Sequence, residues 1–186
     1  MSIIAFDQST TTVGYAIFEE NELIQYGSFT PKQKKKVDDR IYDISNFLKK
    51  VISTVPNIEI ILLEYIQLQN SINGSQKYFS NQGNNIITFK ALAKLQGVLI
   101  NVCLDEGVEY SVISPSHWKS IVKIKSKYRR DQKKEAMEFV DNFFGENATE
   151  DEADAICIGY SYIKENEGFY AFFFYIVGDS ESSVFY

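Results

Sequence analysis

Apolar and polar positions follow two different periods along this chain. Three short apolar runs come first: residues 2–7, Val13 to Phe18, and Leu23 to Phe29. Each has strand length, and the polar Glu20-Asn21-Glu22 separates the last two, so the spacing predicts an antiparallel meander. A helical period then takes over in Val37, Ile41, Ile44, Phe47, Leu48 and Val51, and Pro56 closes that segment. Ile58 to Leu63 is a short continuous apolar run, the pattern of a central parallel strand.

Gln67 to Asn85 is rich in Gln, Asn, Ser and Gly and reads as a long loop, with Tyr78-Phe79 set inside it. Helical period returns over Ile86 to Cys103 through Phe89, Leu92, Leu95, Leu99 and Val102. Glu109 to Ile113 predicts a fifth strand, ended by Ser114-Pro115-Ser116, and helices follow from Pro115 through Val122 and from Asp131 to Phe143. A last helix starts near Thr149, which forms a capping box with Glu152. Its buried stripe is Ala153, Ile156, Cys157 and Tyr160. Phe169 to Val177 is apolar but only nine residues long, and an added strand or a packing arm is expected there. The order of elements permits a mixed α/β sheet of five strands, with the fourth parallel to and beside the first.

Composition supports one folded unit. A chain of 186 residues with 45% apolar and 15% aromatic content can bury a proper core. The expected boundaries are a domain over 1–165 and an apolar extension over 166–186. No apolar run reaches the about 20 residues that a membrane span needs, and the N-terminus has no basic segment leading into an apolar one. Cys103 and Cys157 both fall in apolar helical patterns and are expected to fill core. A soluble, reduced, cytoplasmic protein is the expectation.

Charge changes the picture, because it is uneven. The formal net charge is −6, yet Lys119, Lys123, Lys125, Lys127, Arg129, Arg130, Lys133 and Lys134 face a single acid, Asp131, within one stretch. A second basic cluster is Lys32, Lys34, Lys35 and Lys36. Phosphate contacts depend on local charge within a Debye length of about 8–10 Å, so a basic segment can bind nucleic acid on an acidic chain. His117 is the sole histidine. Zinc, which takes several His or Cys ligands, is therefore not expected, and any metal would be a hard ion held by carboxylates.

Four carboxylates stand out. Asp7 ends the first apolar run and opens the hydroxyl-rich Asp7-Gln8-Ser9-Thr10-Thr11-Thr12. Glu64 ends the fourth run. Asp151 and Asp154 lie three apart, hence side by side, near the start of the last helix. Parallel pairing of the first and fourth strands would put Asp7 and Glu64 at one edge, where the late helix could bring the other two. Such a cluster is self-repelling unless a dication binds, and two Mg2+ ions there would make a phosphodiester-cleaving centre.

These motifs resemble the RuvC-like Holliday-junction resolvases of the retroviral-integrase/RNase H superfamily, in particular their small phage-type members. The matching pieces are Ile4-Ala5-Phe6-Asp7-Gln8-Ser9 with Gly14-Tyr15-Ala16, Leu62-Leu63-Glu64-Tyr65, Lys94-Leu95-Gln96-Gly97-Val98, Ser114-Pro115-Ser116 with Trp118-Lys119, and Asp151-Glu152-Ala153-Asp154-Ala155. They span about residues 3–163. The resemblance implies an RNase H-like fold and a homodimer that nicks a four-way DNA junction symmetrically, leaving 5′-phosphate and 3′-hydroxyl ends. It gives Asp7, Glu64, Asp151 and Asp154 to two Mg2+ ions, with Mn2+ as a substitute, and the basic segment to DNA. Lys119 and one of Lys133 or Lys134 would contact phosphate near the scissile bond. It implies neither a membrane nor a nucleotide cofactor, and a host-cell cytoplasm if the gene is a phage's.

One departure concerns the crossover. Where bacterial members carry an aromatic three residues after the glutamate, this chain has Gln67, and Tyr65, Tyr78 or Phe79 would have to substitute. Three other readings compete. A nuclease of the same fold could act on other branched DNA or RNA. A junction-binding protein would need the bases but not the acids. Asp7-Gln8-Ser9-Thr10-Thr11 also resembles the phosphate turn of sugar-kinase/actin-like ATPases, but those need two such domains, which 186 residues cannot house.

Overall fold

The computed structural model describes residues 1–32, 35–67 and 79–178, with the backbone alone at 79–85 and 168–178. Five strands form one sheet: β1 (Ser2–Asp7), β2 (Val13–Glu19), β3 (Glu22–Phe29), β4 (Ile58–Glu64) and β5 (Tyr110–Ile113). Their spatial order is β3-β2-β1-β4-β5. The first three strands run antiparallel, whereas β4 is parallel to β1 and β5 is parallel to β4. This is the mixed sheet expected, with the fourth strand beside the first. Residues Glu20 and Asn21 turn the β2–β3 hairpin with φ of 51° and 69°, since a two-residue turn that matches strand twist needs left-handed backbone at both positions.

Alternation along the central strands sorts the core into two layers. Ile4 and Phe6 of β1 with Ile61 and Leu63 of β4 face α1 (Val37–Thr54) and α2 (Phe79–Asp105). Ile3, Ala5 and Leu62 face the other side, under α3 (Pro115–Ile121), α4 (Arg129–Phe144) and α5 (Glu150–Gly178). Continuing the two-residue period carries Asp7 and Glu64 onto this second face. The two free cysteines are buried, Cys103 in the first layer and Cys157 in the second, as core residues.

Small residues let α5 sit close on the sheet. A Cβ at Gly159 would lie 2.2 Å from the Phe18 ring. One at Gly14 would lie 1.9 Å from the Asp151 carbonyl oxygen. The capping box forms as expected: Glu152 Oε2 accepts from the Thr149 amide at 2.9 Å. Burial opposes charge on Glu152, but bonds from Thr149 and Ser28 outweigh it and hold its carboxyl below the usual range.

Three expectations need correction. Helix α2 starts at Phe79 rather than near Ile86, because Asn, Gln and Ser lower helix propensity without forbidding a turn that a long apolar helix can nucleate. The apolar stretch after Gly168 is neither strand nor separate arm through residue 178, for it continues α5. No proline interrupts that helix, so its length overrides the strand preference of the aromatics. Finally, Ile86–Asp105 is 20 residues long and apolar enough, by length and composition, to cross a membrane. In this fold its Leu95, Leu99, Val102 and Cys103 are buried against the sheet and α1.

Candidate active site

Register and close approach assemble the four acids. Asp7 pairs with Gly14 across β1 and β2, and the bare Gly14 Cα is where the first turn of α5 lands, beneath Asp151. On the other flank, Phe6 pairs with Leu63 in parallel register, so Asp7 and Glu64 leave their strands side by side. Asp154 follows one turn along α5 from Asp151. The carboxyls therefore come from three elements to a single sheet edge, as the sequence predicts.

Their ionisation reflects that crowding. The Asp7 carboxyl is held well above its ordinary range, first by burial and then by the charges of Glu64, Asp154 and Asp151, with Lys133 opposing. Burial also raises Glu64, against the Trp118 hydrogen bond and the charges of Lys119, Arg129 and Lys133. Asp154 is pushed up to about 6, again mainly by burial, with Lys133 pulling the other way. Among the described residues the acids share this edge without three of them closing to metal-ligand spacing; the Lys133 ammonium stands against Asp151 and Asp154 instead.

That lysine is Lys133, and α4 places it. Its ammonium lies 3.2 Å from Glu150, 3.3 Å from Asp151 and 3.8 Å from Asp154. Only 16% of its side chain is exposed. Burial disfavours its charge, but the neighbouring acids more than compensate and raise its pKa. Lys119 is also near, since its charge lowers both Glu64 and Asp154. Its Nζ donates to Gln132 Oε1 at 3.1 Å and sits 5.1 Å from the Trp118 ring centroid. Arg129 acts on Glu64 through its charge. Lys123, Lys125, Lys127, Arg130 and Lys134 are exposed, and among the described interactions none of them pairs with the four acids. Tyr78 lies outside the described residues, and for Phe79 only the backbone is described.

Sequence reasoning missed the residues that fix Glu64. Trp118 is fully buried and its indole N–H donates to Glu64 Oε1 at 2.9 Å. The Glu64 carbonyl accepts two amides, from Gln8 at 2.8 Å and from Gln96 at 3.0 Å. Gln8 is only 6% exposed and its Oε1 has no partner among the described residues. The signal was present in Gln8, a polar residue directly after the strand-end aspartate. What it would touch lies 56 residues away and is invisible to local pattern.

No family model matches the chain, and no curated protein matches it. Solved structures do. RuvC from T. thermophilus in complex with a Holliday-junction substrate superposes with a TM-score of 0.65 at 15% identity, covering 87% of this chain and 91% of that one. Another structure of Thermus thermophilus RuvC gives 0.61 at 14% identity, over 87% and 92%. The yeast mitochondrial Holliday junction resolvase Ydc2 gives 0.50 at 16% identity, over 86% and 76%. The chain thus has the RuvC-like, RNase H-type fold that its motifs indicate.

Proposed function

We propose that this chain is a divalent-metal-dependent, structure-selective endonuclease that resolves four-way DNA junctions. The observation that carries the reading is the convergence of Asp7, Glu64, Asp151 and Asp154 at one sheet edge, beside Lys119, Lys133 and Arg129. Comparison supports it, since RuvC and Ydc2 are junction resolvases of the same fold.

The donor set fits Mg2+, with Mn2+ as a substitute. All four side chains offer hard oxygen donors. Burial and mutual repulsion raise Asp7 and Asp154, which marks negative charge that Lys133 alone does not offset. The unpartnered Gln8 Oε1 adds a further buried acceptor next to Asp7. A pair of divalent ions held by these groups would supply an activated water and a counter-charge for the leaving 3′ oxygen.

The chain's own residues do the rest. Trp118 and the two glutamine amides lock Glu64 in orientation and height. Lys133, now spread over three acids, is free to turn to a scissile phosphate once those acids have other partners. Lys119 reaches the same phosphate from α3, held in place by Gln132. Lys123, Lys125, Lys127, Arg130 and Lys134 contact the backbone farther along. The products are expected to carry 5′-phosphate and 3′-hydroxyl ends.

Two cuts per junction require two sites, and α2 offers a surface for a homodimer. Ile86, Ala93, Gly97 and Leu104 are exposed and fall at i, i+7, i+11 and i+18, one line along the helix. A Cβ added at Gly97 would touch nothing within 4 Å, leaving room for close approach of a second copy.

The test is a nicking assay with Mg2+ on a labelled four-way junction, beside duplex, flap and fork. Wild type should nick the junction and lose activity with EDTA. Asp7→Asn should bind as well or better, because one repulsion with phosphate is gone, and should not nick. Full activity in Asp7→Asn would sink the carboxylate assignment. Equal cutting of all substrates would move the reading to a broader branched-nucleic-acid nuclease, and binding unaffected by any acid, with no cutting, to an architectural junction binder.

A further inference from the structure

We infer that the α3–α4 connection is a base-stacking platform, in which Tyr128 stacks on an unpaired nucleobase beside the cut. The inference rests on the junction-nuclease reading. Tyr128 is 76% exposed, the most exposed of the large apolar side chains described, and has no side-chain partner among the described residues. Single exposed aromatics are ordinary on protein surfaces, so its surroundings must decide.

Three observations do. First, Tyr128 is flanked by Lys127, Arg129 and Arg130, all exposed, and an aromatic among bases is the pattern that grips single-stranded nucleic acid. Secondly, the platform is built. Glu135 on α4 accepts from the amides of Lys125 and Ser126 and from the Ser126 hydroxyl. Gln132 Nε2 donates to the Ser126 carbonyl at 2.8 Å. The Tyr128 carbonyl accepts from the amides of Asp131 and Gln132, both at 3.0 Å, as α4 starts. A loop tied so firmly to a helix presents its side chain at little entropic cost on binding. Thirdly, the platform adjoins the site: the next residue, Arg129, acts electrostatically on Glu64, and α4 carries Lys133 to Asp151 and Asp154.

A four-way junction held open exposes unstacked bases at its centre, and base–aromatic stacking is worth about 1–3 kcal/mol per base. Tyr128 therefore discriminates open branch points from continuous duplex, where every base already stacks on its neighbours.

The test uses a junction carrying 2-aminopurine next to the branch point, with Ca2+ in place of Mg2+ to prevent cutting. Wild-type binding should change the probe's fluorescence. Tyr128→Ala should abolish that change and weaken junction binding about 5- to 150-fold, while duplex binding stays within about twofold. Tyr128→Phe should restore both, because stacking needs the ring and not the hydroxyl. Tyr128→Ala with an unchanged signal and affinity overturns the inference and leaves the nuclease reading intact. Equal losses on junction and duplex also overturn it, in favour of a general phosphate-side role. A wild type that neither binds nor nicks junctions brings down the nuclease reading and the platform together.

Discussion

At the scale of single residues, burial makes Asp7, Glu64 and Asp154 uncomfortable as anions. Burial pushes the Asp154 carboxyl up to about 6 in the folded chain, above the about 4 of an unfolded aspartate. The folded state therefore binds that proton more tightly, so folding stability falls as pH rises from about 4 to about 6, and the penalty is complete above that window. Asp7 shifts the same way. Asp154→Asn should remove part of the penalty, making the metal-free protein more stable at pH 7.5 by about 1–3 kcal/mol and flattening the fall between pH 4 and 6. Urea titrations of both proteins across that range check this; an Asn variant less stable at pH 7.5 would contradict it. Mg2+ should raise the wild-type melting temperature at pH 7.5 and do so far less at pH 5, where the same oxygens hold protons. That the four acids would meet at one edge was legible in the sequence, because Asp7 and Glu64 end strands and Asp151 and Asp154 share one face near the start of a helix. Trp118, Gln8 and Gln96 were not legible as a group, since each meets Glu64 across 32 to 56 residues of chain.

At the scale of elements, two packing decisions shape the edge. Helix α5 approaches β2 closely only because residue 14 has no side chain. Gly14→Ala should displace the first turn of α5, costing about 3 kcal/mol or more and separating Asp151 from Asp7. Thermal unfolding with a parallel nicking assay checks it, and a stable, fully active variant would contradict the placement. Helix α2 makes the second decision, burying one face and leaving Ile86, Ala93, Gly97 and Leu104 exposed. Leu104→Glu should turn a dimer into a monomer in light scattering while leaving the fold unchanged, because the side chain is 63% exposed in the single chain. Sheet order and helix faces could be anticipated from period alone: of the α1 stripe Val37, Ile41, Ile44, Phe47, Leu48 and Val51, the middle and end are buried, Phe47 is half-buried and only Val37, in the first turn, is exposed. The ends of α2 and α5 could not, because helix continuation is decided by cooperativity along the whole element. Residue-by-residue preference in 79–85 or 169–177 does not register it.

At the scale of the molecule, the proposed function calls on charge distribution and on the symmetry of a dimer. A chain of net charge −6 binds a polyanion only if its bases are gathered, and α3, the connection after it, and α4 gather them on the side of the sheet where the acids lie. Affinity for junctions should therefore fall steeply with salt. Two such edges related by a dimer axis would face two strands of one junction at once, which is what separates resolution from random nicking. The most direct measurement is to label the four strands of a junction in turn and map the Mg2+-dependent nicks. The account predicts paired cuts at symmetric positions on two opposing strands, with ends that a ligase can seal. Cuts scattered over all four strands, or ends that cannot be sealed, would contradict it.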